Sequence, residues 1–185
     1  MVFILLSGIK NNLTKGKNND IINMDGDNNL LQKIETGGIR NEQPLTQEQK
    51  QVATDFAVKL NMPLNKIAYS DNYYTGYNPE YDILLIGTDL FPIENAPQGI
   101  GNANSRVSWR SAMGHELIGH REAALKGWAQ SDKALEEAQA SIRAARFTPD
   151  LSEVERIILL RDAVSRLPVG VKIKDIKDRL NISER

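Results

Sequence analysis

Both histidines of this 185-residue chain fall in one six-residue string, His115–His120, with the sequence HELIGH. Imidazole nitrogens are common zinc ligands, and a glutamate beside one can serve as the general base toward a metal-bound water. In the familiar motif of this kind the two histidines are four residues apart on one helix face. Here they are five apart, which on a regular α-helix would separate the imidazoles by about 140°. We therefore predict a π-type insertion near residues 117–119, with Gly119 absorbing the distortion, so that His115 and His120 share one face and Glu116 acts as the base.

A third ligand is needed, because a catalytic zinc site takes three protein ligands and one water. The chain has no cysteine and no third histidine, so this ligand must be a carboxylate. Glu122 is too close to His120 on the same predicted helix and is expected to point away. Glu136 and Glu137 lie on the next predicted helix, which follows a short turn at 127–130 and should be an antiparallel neighbour. We favour Glu137, with Glu136 as the alternative and other carboxylates left open.

Several other side chains have both a catalytic and a structural interpretation. Arg143 and Arg146 are candidates to stabilise an oxyanion or a substrate carboxylate, although arginines of this kind are more often structural. Four tyrosines of a polar aromatic segment are candidates for a second electrophile or for loop packing: Tyr73, Tyr74, Tyr77 and Tyr81. Trp109, beside the histidine motif, is expected in the core. Without the histidines, the Glu136–Glu137 pair would indicate a solvated helix face that pairs with Lys133 or Arg143.

The elements that must position these residues are predicted from capping and periodicity. Thr46 with Gln49 forms a capping box that begins a helix ending at Pro63. Strands are predicted at 66–69 and 83–87, loops at 71–79 and 91–104, and helices at 108–126, 131–147 and 172–180. A further helix begins at Ser152, whose capping partner is Glu155, and carries one apolar stripe that we expect to face the core: Ile157, Leu160, Val164 and Leu167. The predicted class is α+β, mainly helical, with a small β-sheet and a pair of antiparallel helices that carry the metal site.

Composition divides the chain in two and excludes several functions. Residues 1–41 form an Asn-rich leader or linker, with a possible hairpin at Asp25-Gly26, and residues 42–185 form the domain. The longest apolar run, 1–6, is far short of the roughly 20 residues of a membrane span and lacks the features of a signal peptide. A net charge of -1 argues against a nucleic-acid binder that relies on bulk charge. The lack of cysteine excludes disulfides, iron–sulfur clusters and cysteine nucleophiles.

The histidine string resembles the zinc site of dipeptidyl peptidase III, His-Glu-Leu-Leu-Gly-His, and differs from it at Ile118. In that family both histidines bind zinc, the glutamate activates water, and the third ligand is the second glutamate of a downstream Glu-Glu pair. Residues 136–140 (EEAQA) are similar to that downstream segment. The resemblance implies that Glu137 is the third ligand and that Glu136 supports a ligand from behind.

A longer stretch, roughly residues 82–180, resembles the zincin-like metallopeptidase domains at the carboxyl ends of bacterial polymorphic (Rhs-type) toxins. The similarity lies in residues 104–108, the histidine string and residues 136–147. It implies a zinc-dependent peptidase that acts on a protein or peptide, is secreted or delivered as part of a larger toxin, and is neutralised by an immunity protein. Two alternatives stay open: a non-enzymatic binding module whose structural metal has a fourth protein ligand, and a hydrolase of non-peptide amides.

Overall fold

The computed structural model describes residues 43–71, 74–91 and 107–185, and the fold there is α+β and mainly helical, as predicted. The predicted leader, Tyr73 and all but the first residue of the loop at 91–104 lie outside the described residues. No helix of the described part is long and apolar enough to cross a bilayer.

The first helix, α1 (Gln47–Lys59), begins where its capping box predicts. The Thr46 side chain accepts a hydrogen bond from the Gln49 amide, and the Gln49 side chain accepts one from the Thr46 amide. Asn61, at φ 64°, turns the chain after the helix. The buried side of α1 carries Phe56, which meets Trp109 edge-on at 5.3 Å between ring centroids. Trp109 therefore packs against the core, as expected.

A three-stranded sheet lies beside α1, in the order β1 (Ile67–Tyr69), β3 (Ile83–Ile86), β2 (Gly76–Asn78). β1 runs parallel to β3, and β2 runs antiparallel to β3 with Tyr77 opposite Leu84. β1 and β3 were predicted, but the prediction of a loop through 71–79 is wrong at β2. The glycine and the Asn-Pro pair of that segment are loop signals, and a three-residue strand that depends on pairing with β3 has no periodicity of its own.

The histidine string lies in one continuous helix, the motif helix. It consists of α2 (Trp109–Gly114), a π-helical segment (His115–Arg121) and α3 (Glu122–Leu125). The Ser108 hydroxyl caps its start, and Gly127, at φ 69°, follows its end. The next helix, α4 (Lys133–Phe147), is capped by the Asp132 side chain and packs along the π segment. The helix pair predicted to carry the site is therefore present.

The helix α5 (Glu153–Arg166) begins at the predicted capping box of Ser152 and Glu155, but its predicted buried stripe is wrong. Of the four stripe residues, three are 43% to 56% exposed: Ile157, Leu160 and Val164. The fourth, Leu167, is buried. The helix instead packs against α4 through a buried face of Leu159, Asp162 and Ala163. The chain ends with α6 (Ile173–Ile176) and a 3₁₀ turn (Lys177–Arg179), within the predicted last helix.

Candidate metal centre

The π segment places both imidazoles on one side of the motif helix. The Nε2 atoms of His115 and His120 are 3.0 Å apart, although five residues separate them in sequence. The predicted π insertion is therefore confirmed, and it spans seven residues instead of one turn near 117–119. A π turn takes more residues than an α turn, so the fifth residue, and not the fourth, returns to the same face.

Gly119 has a different role from the one predicted. A Cβ built on it would lie 2.7 Å from the Cα, the Cβ and the carbonyl oxygen of Ala140 in α4. Glycine is needed because the backbones of the two helices nearly touch at this point, and not because the helix needs the conformational freedom of a glycine backbone. This close approach brings the residues of α4 to the histidines.

Glu137 of α4 completes a three-residue group. Its Oε2 is 3.3 Å from Nε2 of His115 and 4.0 Å from Nε2 of His120. One ligand atom from each residue lies within 4.8 Å of the other two, so the group can hold a metal ion. The three side chains are largely buried, at 11%, 18% and 22% exposure.

The hydrogen bonds behind the histidines define which nitrogen faces the group. Nδ1 of His120 is 3.1 Å from Oε1 of Glu136, and the other oxygen of Glu136 accepts the Gln130 amide at 2.6 Å. A carboxylate can only accept, so Nδ1 of His120 carries a hydrogen, and in the neutral imidazole Nε2 is then bare. Nδ1 of His115 is 3.0 Å from the Ser141 hydroxyl. The structure thus places Glu136 behind a histidine and Glu137 at the Nε2 atoms.

This arrangement fits a cation. If both imidazoles carry their hydrogen on Nδ1, the two Nε2 atoms present lone pairs to each other at 3.0 Å, and this contact needs a proton or a metal ion between them. In a tetrahedral zinc site, with bonds of about 2.0–2.1 Å, ligand atoms lie about 3.3–3.4 Å apart. The distances of 3.0 Å between nitrogens and 3.3 Å to the Glu137 oxygen are close to that spacing, and the 4.0 Å distance is longer.

The electrostatics also favour positive charge. Burial alone would lower the pKa of His120, but the hydrogen bond to Glu136 and the charges of Glu116 and Glu137 outweigh it, and the pKa is raised. Burial would likewise raise the pKa of Glu137, but the contact of its Oε2 with Nε2 of His115 and the nearby positive charges lower it to about 2. The carboxylate is therefore ionised at neutral pH and available to a cation.

Glu116 lies beside this group without belonging to it. Its Oε2 accepts a hydrogen bond from the Tyr77 backbone amide at 2.9 Å, which ties the start of the π segment to the edge strand β2. Its negative charge raises the pKa of His120, so the carboxylate lies close to the site. Sequence reasoning missed the Tyr77 amide, since no signal marks β2.

The described tyrosines divide by position. The Tyr77 hydroxyl donates to Asp82 at 3.1 Å, and its pKa rises to about 12 through burial and that hydrogen bond. Tyr81 is exposed. Tyr74 is two-thirds exposed, and its pKa is raised by burial and then by the charges of Glu116 and Glu137. Of the three predicted tyrosines that the structure describes, Tyr74 is therefore the one whose pKa responds to the charges of Glu116 and Glu137, and at neutral pH it is a neutral phenol.

The arginines differ from expectation. Arg143 is fully buried, stacks on Trp128, and donates to three backbone carbonyls as well as to Glu122: those of Ile118, Asn181 and Glu184. It joins the π segment to the C-terminal residues and is not presented to a substrate. Arg146 is exposed beside Phe147. Instead Arg166, which sequence reasoning missed, contacts Oε2 of Glu137 at 3.2 Å.

Comparison with protein-family models, with curated proteins and with solved structures finds no match for this chain.

Proposed function

We propose that this protein is a zinc-dependent hydrolase that cleaves peptide bonds. The observation that carries the proposal is the convergence of two imidazole Nε2 atoms and one ionised carboxylate oxygen, with Glu116 beside them. His, His and Glu are the ligands of well-known catalytic zinc sites.

The residues would divide the chemistry as follows. Zinc would be held by Nε2 of His115, Nε2 of His120 and Oε2 of Glu137. When bound, it supplies a Lewis acid and lowers the pKa of its water to about 7. Glu116, fixed through one oxygen by the Tyr77 amide, has its other oxygen to accept a proton from water and pass it to the leaving nitrogen. Tyr74, as a neutral phenol, would donate a hydrogen bond to the substrate carbonyl oxygen.

The number of ligands favours an enzyme over a binding module with a structural metal. A structural zinc site is closed by four protein ligands, whereas a catalytic one leaves a position open. The group consists of three residues, and no further histidine or carboxylate of the described ranges belongs to it. Glu136, the nearest alternative, is engaged with His120 Nδ1 and the Gln130 amide.

The biological setting is supported by the resemblance to polymorphic-toxin domains. We accordingly propose that the hydrolase is delivered as part of a larger bacterial toxin, cuts a protein or peptide, and is neutralised by an immunity protein. A non-peptide amide would need the same zinc, base and electrophile, so hydrolysis assays should include both classes of substrate.

The test compares three forms of the full chain: the parent, Glu116→Gln and Glu153→Gln. Glu153 is an exposed glutamate at the start of α5, far in sequence from the motif, and controls for the loss of one carboxylate. We expect about one zinc per chain in all three by metal analysis. Hydrolysis of a peptide mixture should fall by about 10²–10⁴ in Glu116→Gln alone, the usual range for a general base.

Two other results would contradict the proposal. A parent that holds no zinc and is not stabilised by added zinc would refute the metal site. Glu116→Gln that binds zinc and remains as active or as toxic to cells as the parent would refute the hydrolase and leave the binding module.

A further inference from the structure

A series of hydrogen bonds and one ion pair connects two residues of the proposed metal site through α5. None of the three proposed metal ligands lies on α5. The Ser141 hydroxyl lies 3.0 Å from Nδ1 of His115 and donates to Oδ2 of Asp162 at 2.5 Å. The other oxygen of Asp162 accepts from Nε of Arg166 at 3.2 Å. The guanidinium of Arg166 in turn contacts Oε2 of Glu137 at 3.2 Å. Asp162 is therefore the link between the back of one ligand and the metal-facing oxygen of another.

The stability of the fold does not account for this series of side-chain contacts. Ser141 is fully buried and Asp162 is 2% exposed, on the face of α5 that packs against α4. Removing a carboxylate from water costs several kcal/mol, and a buried ion pair roughly offsets that cost without adding net stability. An apolar residue at position 162 would serve packing at least as well.

The direction of the hydrogen bonds fixes the tautomer of His115. A serine hydroxyl has one hydrogen, and Ser141 gives it to Asp162. Its oxygen must then accept from Nδ1 of His115, so that nitrogen carries a hydrogen, and in the neutral imidazole Nε2 is bare. Arg166 sets the same direction from the other end, because a guanidinium can only donate.

We infer that Asp162 is a positioning residue of the metal site: through Ser141 it holds His115 in the metal-binding tautomer, and through Arg166 it holds Oε2 of Glu137. This inference rests on the metal site of the proposed function. Partners behind metal ligands typically change metal affinity by about 10–100-fold when they are removed.

Asp162→Asn should reverse the donor and acceptor roles along this series of hydrogen bonds, with little change in the shape of the side chain. Arg166 can only donate, so the amide oxygen of the new side chain turns to Arg166 and its NH₂ turns to Ser141. The Ser141 oxygen then accepts from that NH₂, and its own hydrogen is given to Nδ1 of His115. The imidazole hydrogen moves to Nε2, where it blocks the metal position.

The experiment uses the full chain, with Glu153→Gln as the matched control on the same helix. Glu153 is exposed at the start of α5. In metal-free protein, at a pH where both imidazoles are neutral, ¹⁵N NMR should show hydrogen on Nδ1 of His115 in the parent and control, and on Nε2 in Asp162→Asn. Zinc titration should give a dissociation constant about 10–100-fold weaker in Asp162→Asn and unchanged in Glu153→Gln.

A parent that binds zinc beside an Asp162→Asn variant of equal affinity and unchanged tautomer would overturn the inference and leave the proposed function intact. A parent without zinc affinity would refute the proposed function itself. If Asp162→Asn does not fold, Ser141→Ala removes the link by a smaller change. It should leave His115 with a mixture of tautomers and weaken zinc binding about tenfold, and parent-like values for both would overturn the inference.

Discussion

Replacement of Gly119 by alanine tests whether the close approach of two helices assembles the metal site. The new Cβ would lie 2.7 Å from three atoms of Ala140, two of them backbone. Nonbonded carbon atoms normally sit about 3.5–4.0 Å apart, so the two helices must separate by roughly 1 Å. No rotation of a side chain can relieve a clash with backbone.

The effects on stability and on metal binding should differ in size. Overpacking of this kind costs about 1–3 kcal/mol. The better helix propensity of alanine returns about 1 kcal/mol, so the net loss of stability is about 0–2 kcal/mol and the fold survives. The histidines lie on one side of the contact and Glu137 on the other. Zinc sites tolerate ligand displacements of about 0.2 Å, so a 1 Å separation should weaken zinc binding at least about tenfold.

Urea unfolding measures the first effect and calorimetric titration with zinc measures the second. Gly127→Ala is the matched control, since Gly127 has φ 69° and a Cβ there meets nothing within 4 Å. It should lose about 1 kcal/mol through backbone strain and keep its zinc affinity. A Gly119→Ala protein with the zinc affinity of the parent would refute the view that this contact sets the ligand geometry.

Two further predictions concern single carboxylates. Glu137→Gln should weaken zinc binding far more than Glu136→Gln, because an amide is a poor zinc ligand but its oxygen can still accept from Nδ1 of His120; the reverse order in titrations would move the ligand by one residue. The Arg121 hydrogen bond lowers the pKa of Asp82, so this pair stabilises the fold above the unfolded pKa, near 3.9, and the contribution is lost as the pH falls through the folded value. Asp82→Asn should therefore lose about 2 kcal/mol at neutral pH and show a flatter acid limb in unfolding against pH. An unchanged acid limb would contradict this assignment.

Local signals in the sequence were sufficient for the helices and for part of the site. The capping boxes at Thr46 and Ser152 involve residues three apart, so they can be recognised without knowing the tertiary fold. The spacing of the two histidines is a local signal of the same kind. Two histidines five positions apart on a helix need a π insertion if they are to bind one ion. β2 has no such signal, because its three residues become a strand through pairing with β3.

The supporting residues of the site could not be found in this way. Ser141, Asp162 and Arg166 lie on two helices and meet the ligands only after α4 packs between the motif helix and α5. Gly119 was noticed for its flexibility, whereas its role depends on a neighbour 21 residues later, Ala140. Contacts between helices decide both cases, and a single sequence does not contain them explicitly.

The mistaken stripe on α5 and the placement of Asp162 have a common explanation. Periodicity assigns the core to the face with the most large apolar residues, which here is the exposed face of Ile157, Leu160 and Val164. The buried face contains a carboxylate, which a rule based on hydrophobicity counts against burial. That carboxylate is satisfied by Ser141 and Arg166, and both of these contact a residue of the proposed metal site. Conflicts between local pattern and fold are expected at functional sites, so the failure of the pattern at α5 is itself an argument that Asp162 serves the site.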